Sequence, residues 1–200
     1  MAIILDGTLG CTLPVPLIVS SGGTGQTTLT SLPLVSPVIS GTPTGVGTLT
    51  SGAAVASTSG TSIDFTGIPS WAKRINVLLK GVSLSGSSGI LVQIGSGSVT
   101  TSGYLSTATR NGSASAAILS TSGFPIYSAS APEAASAAVT ISLISTNNYI
   151  CNYSGANYAA SVSLVGGGEV SLSGALDRVR ITSVNGTDTF DAGSINIMYE

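Results

Sequence analysis

Eight acidic side chains and no histidine limit the chemistry open to this 200-residue chain. Without imidazole there is no serine–histidine triad, no cysteine–histidine pair, no general base titrating near neutral pH and no histidine-ligated zinc. Glycoside hydrolysis stays open in principle, because it needs only two carboxyl groups held about 5 to 9.5 Å apart. Asp188 and Asp191 flank Phe190, whereas Asp64, Glu133, Glu169 and Asp177 are scattered. The run Asn185-Gly186-Thr187-Asp188 reads more simply as turn chemistry. Ser21 to Thr28 (SGGTGQTT) has the glycines of a phosphate-cradling loop. It lacks both a lysine after the last glycine and a strand leading into a helical pattern, so it does not read as a nucleotide site. Cys11 and Cys151 lie far apart without CxxC spacing and read as free thiols. The expectation is a protein with no catalytic residues, no metal and no cofactor.

Binding offers more candidates. Asn147, Asn148, Tyr149, Asn152, Tyr153, Asn157 and Tyr158 form the densest run of aromatic and amide side chains in the chain. Tyrosine rings stack on sugar faces and amides bond sugar hydroxyls, so this run could contact a glycan. A hairpin whose tyrosines cap the core would use the same residues. Trp71, the only tryptophan, has two readings of its own, a core or rim plug and a sugar-stacking platform. The six cations, Lys73, Arg74, Lys80, Arg110, Arg178 and Arg180, lie in short pairs and read as solvated strand faces. With a net charge of -2 and no basic stripe, nucleic acid is not an expected partner.

The elements that must position these groups are strands. Only 7% of the residues are charged, against about 25% in an ordinary soluble domain. A hydrophobic content of 42% supplies a core and argues against disorder. Aromatics make up just 5%, so that core is Val, Ile, Leu and Ala, which suits thin β-layers. From residue 61 apolar residues recur with period two, as in Ile63 and Phe65 or Ile75, Val77 and Leu79. Gly67-Ile68-Pro69-Ser70, Gly166-Gly167-Gly168 and Asn185-Gly186 are among the turn signals between such runs. About eight short strands so punctuated predict an all-β fold, a β-sandwich of jelly-roll type over residues 61–200. Ile195, Ile197 and Tyr199 share one face of the last strand, joined through the Asn185-Gly186 turn to the strand carrying Val179 and Ile181. The Ala-rich stretch 129–138 could form a short helix with Pro132 in its first turn.

Residues 1–60 differ in character. They hold Pro14, Pro16, Pro33, Pro37 and Pro43 and one charge, Asp6. Such Pro/Gly density predicts an extended segment, and its apolar side chains, Leu13 to Val19 and Leu32 to Ile39 among them, need a surface to cover them. Copies of the same chain would serve, so an oligomer is expected. The N-terminus lacks the basic region of a signal peptide, and no apolar run reaches the ~18 to 20 residues of a membrane-spanning helix.

Gly22-Gly23-Thr24-Gly25-Gln26-Thr27 resembles a segment that recurs in the N-terminal parts of tailed-bacteriophage fibre proteins. The blocks 60–75 (GTSIDFTGIPSWAKRI) and 177–200 (DRVRITSVNGTDTFDAGSINIMYE) are similar to C-terminal domains of phage tail-fibre and other virion proteins. The resemblance implies a homotrimeric tail fibre made in the host cytoplasm and built into the virion. Its N-terminal segment would join other virion proteins, and its distal sandwich would contact the host surface and its glycans. A head fibre or capsid decoration (cement) protein is the alternative. A glycan-cleaving tailspike is the enzymatic one, and eight scattered acids in so short a chain leave it little room. The resemblance brings no catalytic residues.

Overall fold

The computed structural model describes residues 5–6, 10–11, 49–112, 115–126 and 133–200. The chain divides into two compact units, Met1–Gly45 and Val46–Glu200. In the first, strands β1 (Leu5–Asp6) and β2 (Gly10–Cys11) pair antiparallel. The Gly22–Thr27 motif and the proline-rich stretch 12–48 lie outside the described residues.

The second unit is all-β. Its larger sheet has nine strands: β3 (Thr50–Ser51), β4 (Val55–Ala56), β6 (Arg74–Leu84), β9 (Leu105–Asn111), β10 (Ala116–Ser120), β12 (Ala135–Ser145), β13 (Asn148–Asn157), β14 (Val162–Ser171) and β16 (Phe190–Tyr199). They run in the order β10-β9-β14-β13-β12-β6-β16-β3, with β4 also on β16. The smaller sheet has β5 (Ser62–Thr66), β7 (Ile90–Ser96), β8 (Ser98–Val99), β11 (Phe124–Ile126) and β15 (Arg178–Ser183). Its order is β11-β7-β15-β5, with β8 on β7. Residues 50–56, which the sequence assigns to the N-terminal segment, therefore extend the sandwich, because the edge of β16 takes them as partners.

Alternation builds both layers. Ile75, Val77, Val139, Ile141, Ile195 and Ile197 of the larger sheet and Ile63, Val92, Ile94, Val179 and Ile181 of the smaller one are buried in one core. Each such side chain removed from water contributes about 1.5 to 3 kcal/mol. In β6 the inward face switches from Ile75, Val77 and Leu79 to Val82 and Leu84. One extra residue at Gly81, whose φ is +59°, makes the switch, as a β-bulge does. Gly193 lies against this bulge so closely that a Cβ there would stand 2.4 Å from the Gly81 carbonyl oxygen. The aromatic members of the core include Tyr104, which meets Phe124 edge-on at 5.0 Å.

The jelly-roll expectation holds for the outer wrap. The chain crosses between sheets from β6 to β7 and again from β15 to β16, with β6 paired to β16 and β7 to β15. This is a two-stranded ribbon bent over the core. Within it β12, β13 and β14 form a simple meander. The Asn185-Gly186 turn, with Gly186 at φ +71°, thus carries the chain between layers and does not close a hairpin. Nor is the Ala-rich stretch helical where it is described. Ala135 and Ala137 start β12 and face inward, where pairing on both edges outweighs alanine's helix preference. Residues 127–132, with Pro132, lie outside the described residues.

Candidate functional site

The asparagine–tyrosine run does not converge. It spans a turn and the whole of β13, whose alternate residues enter the core. Tyr149 and Tyr153 are 2% and 4% exposed, so neither ring can stack on a ligand from solvent. Tyr149 instead accepts a hydrogen bond at its hydroxyl from the Leu176 amide at 3.0 Å. Asn157 is also buried, its Oδ1 accepting from the Ala160 amide at 3.2 Å, and Asn147 is half-buried in the turn. Asn148 and Asn152 are exposed, and Asn148 is engaged by Ser145 and Ser171. Tyr158 is 96% exposed beyond the far end of the strand, about 30 Å from Asn148 at the rise of a β-strand. Tyr149 and Tyr153 thus sit in the core, while Asn148, Asn152 and Tyr158 stay on the surface.

Six of the eight carboxylates are engaged in structure, and Glu169 is exposed on β14. Asp64 receives Arg180 Nε and Nη2, both at 2.7 Å, and Asp177 receives Arg178 Nε at 2.8 Å. Arg178, first by its hydrogen bond, holds the Asp177 carboxyl below the usual carboxylate range. Glu200 pairs with Arg74 and Asp191 with the Ser83 hydroxyl. Asp188 accepts the Ser88 amide at 3.0 Å and the Asn185 side-chain amide at 2.8 Å, which makes it a turn residue. Arg110 departs from the expectation of a solvated face. It lies inward on β9 and meets Glu133 at 3.2 Å, both largely buried. Among the described residues no three His, Cys, Asp or Glu side chains gather to hold a metal ion, and no helix is long and apolar enough to cross a membrane. Burial pushes the Cys151 thiol up to about 12, so it is inert at neutral pH. Trp71 sits half-exposed at the rim, its ring 5.7 Å from that of Tyr199.

What the fold does present are two outer faces. On the larger sheet, Leu119, Thr107, Gly167 and Asn152 form a cross-strand row, with Ala117, Thr109, Val165 and Ser154 as the next. Gly167 has no side chain, so the face dips into a trough of about 720 Å³ whose apolar walls are Leu105, Leu119 and Val165. Leu119 is 87% exposed on edge strand β10, which among the described residues pairs only with β9. On the smaller sheet the outward row is Asp64, Arg180 and Gln93, beside Ser62, Thr182 and Leu91. A groove of about 320 Å³ runs over Arg180, Gln93, Ser62, Thr182 and Leu91, bounded by Ser122 on one side and Asn185-Gly186 on the other.

Neither surface stands out in the sequence, although each had a signal. Ala116-Ala117-Ile118-Leu119 has apolar residues on both faces of a strand, and Arg178-Val179-Arg180-Ile181 alternates charge with core. No family model, no curated protein and no solved structure matches this chain.

Proposed function

We propose that this chain is a structural protein of a tailed-phage virion, a homotrimeric fibre whose sandwich contacts the host surface and whose N-terminal segment joins the particle. The observation that carries the reading is the outer face at β9, β10 and β14, apolar around Leu119 and Val165, with Glu169 as its charge at the Leu105 end. A monomer that leaves Leu119, Leu105 and Val165 in water exposes a contiguous apolar patch of the kind that marks an interface. Edge strand β10 (AAILS) carries no charge and no proline, the usual devices that keep sheet edges apart. A second copy meets no repulsion there, and closed symmetry gives each copy the same contact. The engagement of Asp64, Glu133, Asp177, Asp188, Asp191 and Glu200 in structure supports a binding role over glycoside hydrolysis.

Light scattering on the full chain tests the assembly, and cryo-electron microscopy of virions carrying a tagged copy tests the location. We expect a mass of three chains, with Leu119→Lys reducing it to one while the far-ultraviolet spectrum stays the same. Tagged density on tail fibres fits the proposal, whereas density on the capsid assigns the protein to the head-fibre or decoration class. A wild-type monomer, or a Leu119→Lys protein that remains trimeric, overturns the interface.

A further inference from the structure

We infer that the outer face of the smaller sheet is a binding groove for a neutral, polyhydroxylated ligand, a sugar unit of a surface glycan. The inference rests on the reading that the sandwich contacts a host surface and names the part of it that does so.

Outward residues of an exposed sheet normally reach solvent, yet Gln93 is only 6% exposed and Leu91 only 3%. They form the floor of the groove. Gln93 Nε2 donates to the Ser122 carbonyl at 2.8 Å, which fixes the amide plane and leaves Oε1 as an acceptor. Its cross-strand neighbour Arg180 is held at Nε and Nη2 by Asp64, leaving Nη1 as a donor. The Thr182 hydroxyl donates to the Thr61 carbonyl at 2.7 Å and can still accept. Donors and acceptors thus alternate along a rigid floor. A hydroxyl group gives one proton and accepts at two lone pairs, so neighbouring sugar hydroxyls match that alternation.

Charge narrows the ligand further. Arg180 is the charged group lining the groove, and its partner Asp64 beside the groove neutralises it, so an anionic polymer gains no net attraction and a cation gains none either. Among the described residues no aromatic ring lines the site, so one copy holds one sugar unit weakly. Three copies on one fibre would convert weak contacts into firm attachment to a repetitive polysaccharide.

The test uses the full-length protein on surfaces bearing maltotriose, mannotriose, N-acetyllactosamine or, as the charged counterpart, sialyllactose. We expect at least one neutral sugar to bind, with little change between low and high salt because screening acts on charges. Gln93→Leu and, separately, the double variant Asp64→Asn with Arg180→Gln should each weaken that binding at least about tenfold, the loss of roughly one hydrogen bond to a charged or buried group. The double variant changes half-exposed side chains, and its melting curve reports whether the fold is kept. Failure of every neutral sugar to bind overturns the groove, as does binding that both folded variants retain or binding to sialyllactose alone. Trimer mass and position on the virion are measured without any sugar, so a failed groove leaves the fibre reading to its own test.

Discussion

Across the larger sheet the outward row Leu119, Thr107, Gly167 and Asn152 carries no charge, whereas across the smaller sheet the row Asp64, Arg180 and Gln93 consists of two charges and an amide. The inward rows of the two sheets are interchangeable in character, Ile and Val on both. The core therefore dictates every second residue and leaves the others free to specialise. In a chain with so few charges, the smaller sheet keeps its guanidinium–carboxylate pair in the middle of its outer face, whereas the Arg74–Glu200 pair of the larger sheet stands at the end of β6, away from β9, β10 and β14. One face suits contact with a like surface, the other contact with something wet and polar.

The strongest way to break this contrast is to show that the two sheets do not share a core. Removing the last six residues takes Ile195 and Ile197 from the larger sheet, and buried Ile truncations cost about 2 to 5 kcal/mol each, comparable to a whole domain's stability. Hydrogen exchange should then show the amides of Val92 and Ile181 in the smaller sheet losing protection together with those of Val77 and Val139. Protection retained at Val92 and Ile181 would mean two independent layers.

A smaller effect sharpens the larger sheet's side. At Gly166 an added Cβ would stand 2.5 Å from Tyr153 Cε1 and 2.6 Å from the Thr107 carbonyl oxygen. Gly166→Ala should lower stability by about 1 to 3 kcal/mol, the usual range for overpacking, as read from urea unfolding. An unchanged midpoint would show that the Tyr153 ring can move aside.

The smallest effects belong to the ion pairs. Both partners of the Asp64–Arg180 pair are about a third exposed, so Asp64→Asn should cost less than about 1 kcal/mol, and high salt should erase the difference. Asp177 has its folded pKa depressed, chiefly by Arg178. Its contribution is present above the unfolded carboxylate value near ~3.9 and is lost as pH falls through the lower folded value. Melting temperatures of Asp177→Asn and wild type should accordingly converge toward acid. A gap that widens below pH ~4 would contradict the assignment.

Much of the layer structure was legible because period-two alternation is a local signal. Ile63 and Phe65 face inward as their spacing predicts, and Gly67 turns the chain at φ +75°. In the asparagine–tyrosine run Ile150 interrupts the alternation, and the amides draw attention from Tyr149, Cys151 and Tyr153, which share the inward face. Arg110 could not be placed without Glu133, which lies 23 residues away and approaches only after folding. The outer surfaces were illegible for the same reason. Asp64, Arg180 and Gln93 come from three separate segments, and only the register of β5, β15 and β7 makes them neighbours.

The bent ribbon also sets an order of events during synthesis. Among the described residues β5 pairs with β15 alone, β7 has β15 between itself and β5, and β6 meets β16 across more than a hundred residues of chain. On the ribosome β3, β4 and β5 must therefore wait for β15 and β16 until nearly the whole chain has emerged. Such long-range pairing makes for slow folding. The waiting strands are aggregation-prone. While they wait, the segment before them has already emerged, so any assembly through it, which its apolar sequence leads us to propose, would precede the sandwich.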